Sequence, residues 1–342
     1  MLRLASAALP PGARERRVLL LLAMAALASL VIGGAVGSVM LAPRQWLAGI
    51  NELAHGEHAS LAASLLELRL SRALAGFATG AMLALAGVMM QALLRNPLAD
   101  PYVLGVSGGA SVGALLALLL AAGAWAVDAA AFGGALAAAF LLYLFAWRDL
   151  RVGVDASATV LILTGVIVAA GCGAMVTLML SLAPDAALRG MVFWMIGDLS
   201  GSQNRLLPWL LLGGALAWGM RAAPAMNVAA LYAGNAASLG VPVARLRQGL
   251  FFCAALLTAG AVSNAGAIGF VGLVVPHACR YALGPDHRLL LPAAALAGGT
   301  FLTLADTLAR TLVAPQQLPV GVVTALIGVP AFLAQLHQVR RR

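Results

Sequence analysis

The sequence predicts an all-α, polytopic membrane protein with about ten transmembrane helices in one compact bundle. Of its 342 residues, 62% are hydrophobic and only 10% are charged, whereas an average soluble domain has about 25% charged residues. Apolar runs recur along the whole chain, and about 20 residues suffice for a helix to cross the ~30 Å hydrocarbon layer. A transmembrane β-barrel would instead alternate apolar and polar residues in segments about ten long, and the sequence shows no such alternation. One transmembrane domain is therefore expected over residues 1–342.

The first predicted segment follows a charged stretch, as a signal peptide would. Its apolar run is longer than the about 7–15 residues of a signal-peptide core, so we expect it to remain in the protein as a helix. Nine further runs follow it at similar lengths. The ten predicted segments are 18–41, 66–93, 104–123, 128–147, 157–181, 204–220, 248–264, 268–284, 289–308 and 318–336.

Small residues and tryptophans support the helical interpretation of segments two to four. Gly76 and Gly80 in the second segment, and Gly105 and Gly109 in the third, are four residues apart, a spacing that lets helix backbones approach closely. Trp125 and Trp147 bracket the fourth segment at about one membrane thickness, as interfacial aromatic residues do. Together these features favour a tightly packed bundle.

The net charge of +9 is interpreted as a topology signal. Ten helices that start from the cytoplasm place fifteen of the arginines inside and six outside, in agreement with the positive-inside rule. Both termini are therefore predicted to be cytoplasmic, and nucleic acid is not expected as a partner.

Two connections are too long and too polar to be simple turns. The connection at about 182–203 is predicted to face outward and to act as a gate segment. The connection at about 221–247 is predicted to face the cytoplasm, with Gly240 and Pro242 among the residues that punctuate two short helical pieces. A cytoplasmic loop of this kind is a plausible coupling surface for another subunit.

The residues required for several kinds of chemistry are missing from the sequence. Because the chain contains no lysine, it has no phosphate-binding G-x-x-x-x-G-K-[ST] loop and no ATPase site of that type. Its histidines form no H-E-x-x-H motif, and its three cysteines are far apart, so no catalytic residue, metal site or cofactor is predicted. Asp306 precedes Arg310 by four residues, which predicts a local ion pair. Few ionisable residues lie inside the segments, which argues against an ion-coupled carrier and an intramembrane enzyme.

Four sequence blocks closely resemble the permease subunits of type II ABC importers for iron chelates and vitamin B12, the FecCD/BtuC-like family. The blocks are 95–110, 266–280, 286–292 and 318–328; they keep their order and cover most of the chain from the second segment onward. The motif residues that match within the first two blocks are Arg95, Asn96, Pro97, Asp100, Pro101, Gly105, Ser107, Gly269, Gly272, Pro276, His277 and Arg280.

The resemblance implies a homodimeric permease of a bacterial inner membrane, with its substrate path on the dimer axis. Two cytoplasmic ATPase subunits would bind ATP and Mg²⁺, and a periplasmic binding protein would deliver the ligand. The ATPase contact is expected in the cytoplasmic connection. Its candidate residues are Leu231, Tyr232, Gly234, Asn235, Ser238, Leu239 and Gly240.

The resemblance also implies that outward arginines pair with acidic residues of the binding protein. Arg69, Arg72 and Arg310 match these positions, and the predicted topology places all three outside. The sequence departs from the family pattern at Ser71, where proline is usual, at Asn235-Ala236, where an acidic pair is common, and at Gln317, where glutamate is frequent.

The predicted function is to move an iron chelate, heme or a siderophore, from the periplasm to the cytoplasm. Cobalamin is the alternative cargo within the same family. A stand-alone ion-coupled secondary transporter and an intramembrane enzyme are the competing classes, and both would work without an ATPase partner.

Overall fold

The computed structural model describes residues 13–39, 41–56, 60–151, 156–202, 205–232 and 235–340. Across these ranges the secondary structure is helical, with twelve α-helices, one short 3-10 turn at Pro101–Leu104 and no strand. The α-helices are α1 (Ala13–Ala35), α2 (Pro43–Ala54), α3 (Leu61–Leu93), α4 (Val106–Leu119), α5 (Ala124–Arg151), α6 (Ala156–Leu182), α7 (Asp185–Ile196), α8 (Leu206–Leu231), α9 (Val243–Ala265), α10 (Val271–Leu283), α11 (His287–Thr311) and α12 (Val320–Arg340).

The predicted all-α membrane fold is confirmed, and each predicted segment overlaps one helix. By length and composition, seven of the described helices can cross a membrane: α1, α3, α5, α6, α8, α9 and α11. The other three predicted segments correspond to α4, α10 and α12, and α4 and α12 contribute shorter apolar helices. The count of about ten transmembrane helices stays a prediction.

Two short helices were not predicted as such. The amphipathic helix α2 lies between the first two predicted segments, where the sequence indicated an outward loop. The helix α7 occupies the middle of the predicted gate segment 182–203. Both have about twelve residues, which is too short for the ~30 Å hydrocarbon layer, and this explains why a search for long apolar runs does not find them.

Helix α3 is the centre of the bundle, with 94% of its most apolar stretch buried. It contacts α1, α2, α8, α9, α10 and α11. Glycines allow these approaches: a Cβ built on Gly80 would lie 2.3 Å from the carbonyl oxygen of Gly298 in α11, and one on Gly87 would lie 1.9 Å from that of Gly272 in α10. The close packing predicted from Gly80 is therefore present.

Helices α4 and α5 pack by the same means. A Cβ on Gly109 would lie 2.4 Å from the carbonyl oxygen of Gly134, and one on Gly134 would lie 2.3 Å from that of Gly109. Helix α6 lies outside this pair: its most apolar stretch is only 17% buried within the chain. The outward face of α6 is therefore available to lipid or to another protein.

The structure differs from the prediction for the connection at 221–247. Helix α8 continues to Leu231 and α9 begins at Val243, so the connection between them is limited to residues 232–242. Pro224 lies inside α8 without ending it. The residues around Pro224 are mostly alanines, which are the best helix formers, and they compensate for the hydrogen bond that proline cannot donate.

Candidate functional sites at the two ends of the bundle

A buried charge cluster joins α3 and α11 at the predicted outer end. The Nε of Arg72 donates to both carboxylate oxygens of Asp306, at 3.1 and 3.0 Å, and its Nη2 donates to Oδ1 at 2.7 Å. Its Nη1 donates to Oε1 of Gln317 at 2.9 Å. The remaining acidic neighbour is Asp198, whose carboxylate lies 3.9 Å from Nη2. Arg72 therefore connects two helices and the segment that follows α7.

Arg310 and Arg69 complete this outer charge cluster. The Nε of Arg310 lies 3.0 Å from Oδ2 of Asp306, so the ion pair predicted from the four-residue spacing is present. Arg310 also donates to the carbonyl oxygen of Gly33 at 3.0 Å. Arg69 donates to the carbonyl oxygens of Ala35, at 3.1 Å, and Val39. Both arginines thus hold the end of α1 and the residues after it.

The three arginines predicted to dock a binding protein are buried in the isolated chain. Their exposed fractions are 7% for Arg69, 9% for Arg72 and 5% for Arg310. The sequence prediction placed them on the outer surface, and the structure instead pairs them with groups of the same chain. Their docking role stays a prediction, and it requires a rearrangement that brings the guanidinium groups to the surface.

Gln317 shows why one departure from the family pattern matters. A glutamate at this position would bring a second carboxylate to the Arg72 guanidinium, whereas Gln317 accepts a hydrogen bond and adds no charge. The cluster of three arginines consequently contains one fully buried carboxylate, that of Asp306.

The predicted gate segment is attached to the bundle at the end of α7. Gly197 has a φ of +83°, which favours glycine, and its carbonyl oxygen accepts from the N–H of Gly321 at 3.3 Å. The N–H of Asp198 donates to the carbonyl oxygen of Ala265 at 2.9 Å. These bonds connect the segment to the start of α12 and the end of α9, so a movement of α7 would disturb both helices.

The first family motif forms a compact turn at the opposite, predicted cytoplasmic, end. Arg95 follows α3 with a φ of +48°, and the N–H of Asn96 donates to the carbonyl oxygen of Gln91 at 3.2 Å, which terminates the helix. Asn96 and Asp100 then accept from the backbone two residues ahead, at 2.9 and 2.7 Å. Burial raises the pKa of the Asp100 carboxyl to about 6, although the hydrogen bond from Tyr102 opposes this shift.

Tyr102 joins the first two motif blocks, which are far apart in sequence. Its hydroxyl donates to the carbonyl oxygen of Ile268 and accepts from the N–H of the same residue, both at 2.9 Å. Nearby, a Cβ on Gly272 would lie 2.7 Å from the ring of Pro101. Of the matched residues, Pro101 and Gly272 therefore have a packing role. The sequence contained no signal that identified Tyr102 as the connecting residue.

The remaining motif residues lie along α4 and α10. The carbonyl oxygen of Ser107 accepts from the Ser111 hydroxyl at 3.1 Å. Pro276 lies buried inside α10, and the His277 ring stacks edge-on against Phe332 with centroids 6.5 Å apart. Gly269 has open space around its Cα, so packing does not explain that glycine.

The predicted coupling residues form an exposed tip between α8 and α9. Leu231, Tyr232 and Leu239 are 73%, 55% and 57% exposed, while Asn235, Ser238 and Gly240 are also at the surface. Gly234 lies outside the described residues. Large apolar side chains exposed together at a tip are typical of a protein contact.

Among the described residues, no group of three or more histidine, cysteine, aspartate or glutamate side chains could hold a metal ion. A further ion pair, between Arg205, which directly precedes α8, and Asp128 of α5, lies at the predicted outer end. It was not predicted, because the two residues are far apart in sequence and neither belongs to a recognisable motif.

Comparisons with known proteins agree along nearly the whole chain. The sequence model of the FecCD transport family matches residues 20–338. The cobalamin import system permease protein BtuC of Halobacterium salinarum is 45% identical over 275 residues, covering 79% of this chain and 72% of the relative. The vitamin B12 import system permease protein BtuC of Escherichia coli O9:H4 is 38% identical over 330 residues, covering 95% of this chain and 96% of the relative.

Two solved structures also resemble the chain. An inward-facing metal-chelate type ABC transporter superposes with a TM-score of 0.81 at 28% identity, covering 94% of this chain and 99% of that one. PsaBC from Streptococcus pneumoniae, in complex with Fab, superposes with a TM-score of 0.54 at 15% identity, covering 84% of this chain and 94% of that one. The second likeness concerns the fold alone.

Proposed function

Because this chain belongs to the FecCD transport family and is the permease subunit of an ABC importer, we propose that its cargo is cobalamin. The observation that carries this proposal is the 45% and 38% identity to permeases named for cobalamin and vitamin B12 import. The sequence analysis favoured an iron chelate and kept cobalamin as the alternative. The relatives reverse that order.

An iron chelate remains the second candidate. It is favoured by the superposition on a metal-chelate type transporter at a TM-score of 0.81. Its support is weaker, since identity to that structure is 28%, below the identity to either cobalamin permease.

The family works with ATPase and substrate-binding partners, and we place their contacts at opposite ends of the bundle. The exposed apolar tip around Leu231, Tyr232 and Leu239 suits the two ATPase subunits. The outer end, with the charge cluster and α7, suits the binding protein. In this arrangement ATP-driven closure of the ATPases moves the tip, and packed helices switch the path between two discrete states. The chain would lie in the bacterial inner membrane with both termini in the cytoplasm.

The partner for the outward face of α6 is proposed to be a second copy of the chain. Ala170, Gly171 and Ala174 are exposed along this face together with the larger Leu163 and Ile167. A Cβ added to Gly171 would meet nothing within 4 Å. Small residues on an apolar helix face allow a second backbone to approach closely, and such a face is more typical of a helix contact than of contact with lipid alone.

We expect single cysteines on this face of α6 to crosslink two copies of the chain. In a Cys172→Ser background, Ile167→Cys, Gly171→Cys and Ala174→Cys should be tested separately by oxidation in the membrane. At least one should form a dimer-sized band, because a disulfide joins Cα atoms about 4.4–6.8 Å apart. The crosslinked permease should also lose transport.

Leu21→Cys provides the matched control, because Leu21 of α1 is 58% exposed on another apolar helix. Equal crosslinking at Leu21→Cys and at all three α6 positions would argue against a dimer contact through α6. Full transport by a completely crosslinked dimer would contradict the proposed movement of this helix.

Uptake into proteoliposomes tests the cargo. The vesicles contain this chain and its ATPase, and each cargo is supplied on its cognate binding protein. We expect cobalamin to accumulate with ATP and to remain at background without it, since ATP hydrolysis by the partner drives the cycle. Radiolabelled cobalamin, heme and a ferric siderophore are compared in parallel.

ATP-dependent uptake of heme or the siderophore, but not of cobalamin, would show that the cargo is an iron chelate. Accumulation driven by an ion gradient in vesicles without ATPase would instead favour a secondary transporter.

A further inference from the structure

A cavity of about 350 Å³ opens at the predicted cytoplasmic end, where α3, α8, α9, α10 and α11 meet. Four basic residues line it: Arg95 after α3, Arg247 of α9, Arg280 of α10 and His287 of α11. No acidic residue belongs to the described lining. The cavity therefore concentrates positive charge within a largely apolar bundle.

Arg280 and His287 are the most informative of the four. Among the described residues, Arg280 is half-buried and has neither a hydrogen bond nor an ion pair to its guanidinium. His287 is only 4% exposed; its Nδ1 lies 2.7 Å from Oδ1 of Asn227, while its buried Nε2 has no partner within the described chain. Because the amide oxygen of Asn227 can only accept, Nδ1 of His287 carries the proton and Nε2 is an acceptor. Arg280 is therefore the side chain that lacks a negatively charged group.

The other lining residues limit what that group can be. Met226, Leu246 and Leu250 supply an apolar wall to the same cavity. Guanidinium groups bind phosphate oxygens with two parallel hydrogen bonds, and the apolar wall suits glycerol and the start of an acyl chain. Basic pockets between transmembrane helices on the cytoplasmic side are suited to anionic lipid headgroups.

We propose that this cavity binds the phosphate headgroup of an anionic phospholipid, with Arg280 among its ligands. Val243, Ala229 and Ala230 also line the cavity, and they flank the connection 232–242 between α8 and α9. A lipid bound here would therefore stabilise the helix ends on either side of the exposed tip that is proposed to contact the ATPase. Binding does not depend on which cargo the importer carries.

The test measures lipid binding by the full-length, purified permease in detergent, without ATPase or cargo. Dioctanoyl phosphatidylglycerol is titrated, with dioctanoyl phosphatidylcholine and inorganic phosphate as comparison probes. Native mass spectrometry counts bound lipid, and thermal unfolding reports the stabilisation. We expect phosphatidylglycerol to bind and stabilise the wild-type protein more than either comparison probe, because only it combines net negative charge with an apolar body.

Arg280→Gln should weaken phosphatidylglycerol binding by about tenfold or more, as expected for the loss of a charge-assisted contact. Arg288→Gln is the matched control: it removes the same charge one residue after His287, but Arg288 is exposed and does not line the cavity. Arg280→Lys should bind with intermediate strength, and it keeps the test informative should Arg280→Gln fail to fold.

Equal phosphatidylglycerol binding by wild type, Arg280→Gln and Arg280→Lys would overturn the proposal. Inorganic phosphate binding that phosphatidylglycerol cannot displace would overturn the lipid assignment and indicate a site for a free anion. If no protein responded to phosphatidylglycerol, and Arg280→Gln lost ATPase binding in a separate pull-down, the cavity would be assigned to an acidic segment of the ATPase instead.

Discussion

Asp306→Ala is expected to destabilise the permease by about 3–5 kcal/mol, the cost of breaking a buried ion pair by removing one partner. Asp306 is 1% exposed and pairs with both Arg72 and Arg310. Without its carboxylate, two buried guanidinium groups would lose the carboxylate nearest to them at the outer end of α3 and α11. Thermal unfolding in detergent should show a midpoint lower by roughly 5–10 °C.

Two variants separate this effect from a general loss of a side chain. Asp306→Asn keeps the shape and the hydrogen-bond acceptor, so it should recover part of the loss. Asp185→Ala removes an exposed carboxylate in the first turn of α7 and should change stability by less than about 1 kcal/mol. A midpoint for Asp306→Ala within 1–2 °C of wild type, on the same scale, would show that the cluster does not stabilise the fold.

The second large effect is expected at Gly87, where α3 meets α10. Gly87→Ala would place a Cβ 1.9 Å from the carbonyl oxygen of Gly272. That oxygen belongs to backbone at the start of a helix, so it cannot turn aside as a flexible side chain could. We expect a loss of about 3 kcal/mol, at the upper end for an overpacked core, measured as a lower unfolding midpoint and a smaller yield of folded protein.

Gly213→Ala is the matched control on α8, because a Cβ there meets nothing within 4 Å. Alanine is the better helix former by about 0.8–1 kcal/mol, so this variant should be as stable as wild type or more stable. The same chemical change thus has opposite expected signs at two positions. If Gly87→Ala unfolded at the same midpoint as wild type, α3 and α10 could not approach each other as closely as the structure shows.

The sequence was sufficient to predict the fold class, because insertion of a helix into a membrane depends on the number of consecutive apolar residues. A helix that crosses lipid needs about 20 apolar residues, and α6 and α11 were located from that requirement to within a few residues. Helices α2 and α7 are too short to cross the membrane, so the same criterion does not find them. The continuation of α8 to Leu231 was missed because the predicted apolar segment ends before Arg221, whereas the helical backbone continues beyond it.

The motif residues were found by resemblance, but their partners were not. Nothing in the sequence indicates that Tyr102 bonds the backbone of Ile268, or that Gly272 contacts the ring of Pro101. Asp306 and Arg310 could be paired from their spacing within one helix, whereas the stronger contact of Asp306, with Arg72, joins positions 234 residues apart.

The outer arginines show where sequence reasoning reaches its limit. Loop assignment predicts that Arg69, Arg72 and Arg310 lie toward one end of the bundle, but their exposure depends on which groups the neighbouring helices present. Arg69 and Arg310 meet carbonyl oxygens around the end of α1, and these contacts turn the charges inward. The cytoplasmic cavity arises in the same way, since its four basic residues come from four separate parts of the chain.

The sequence by itself thus determined the all-helical membrane fold, the absence of a lysine-containing ATP-binding loop and the family, because hydropathy, composition and local motifs are properties of contiguous residues. Only the tertiary structure decided that Arg69, Arg72 and Arg310 are buried, that the connection after α8 is short, and that Arg280 and His287 face one cavity. These features depend on the helices that lie beside each other, and side-chain pairing across a bundle leaves no periodic signal along the chain.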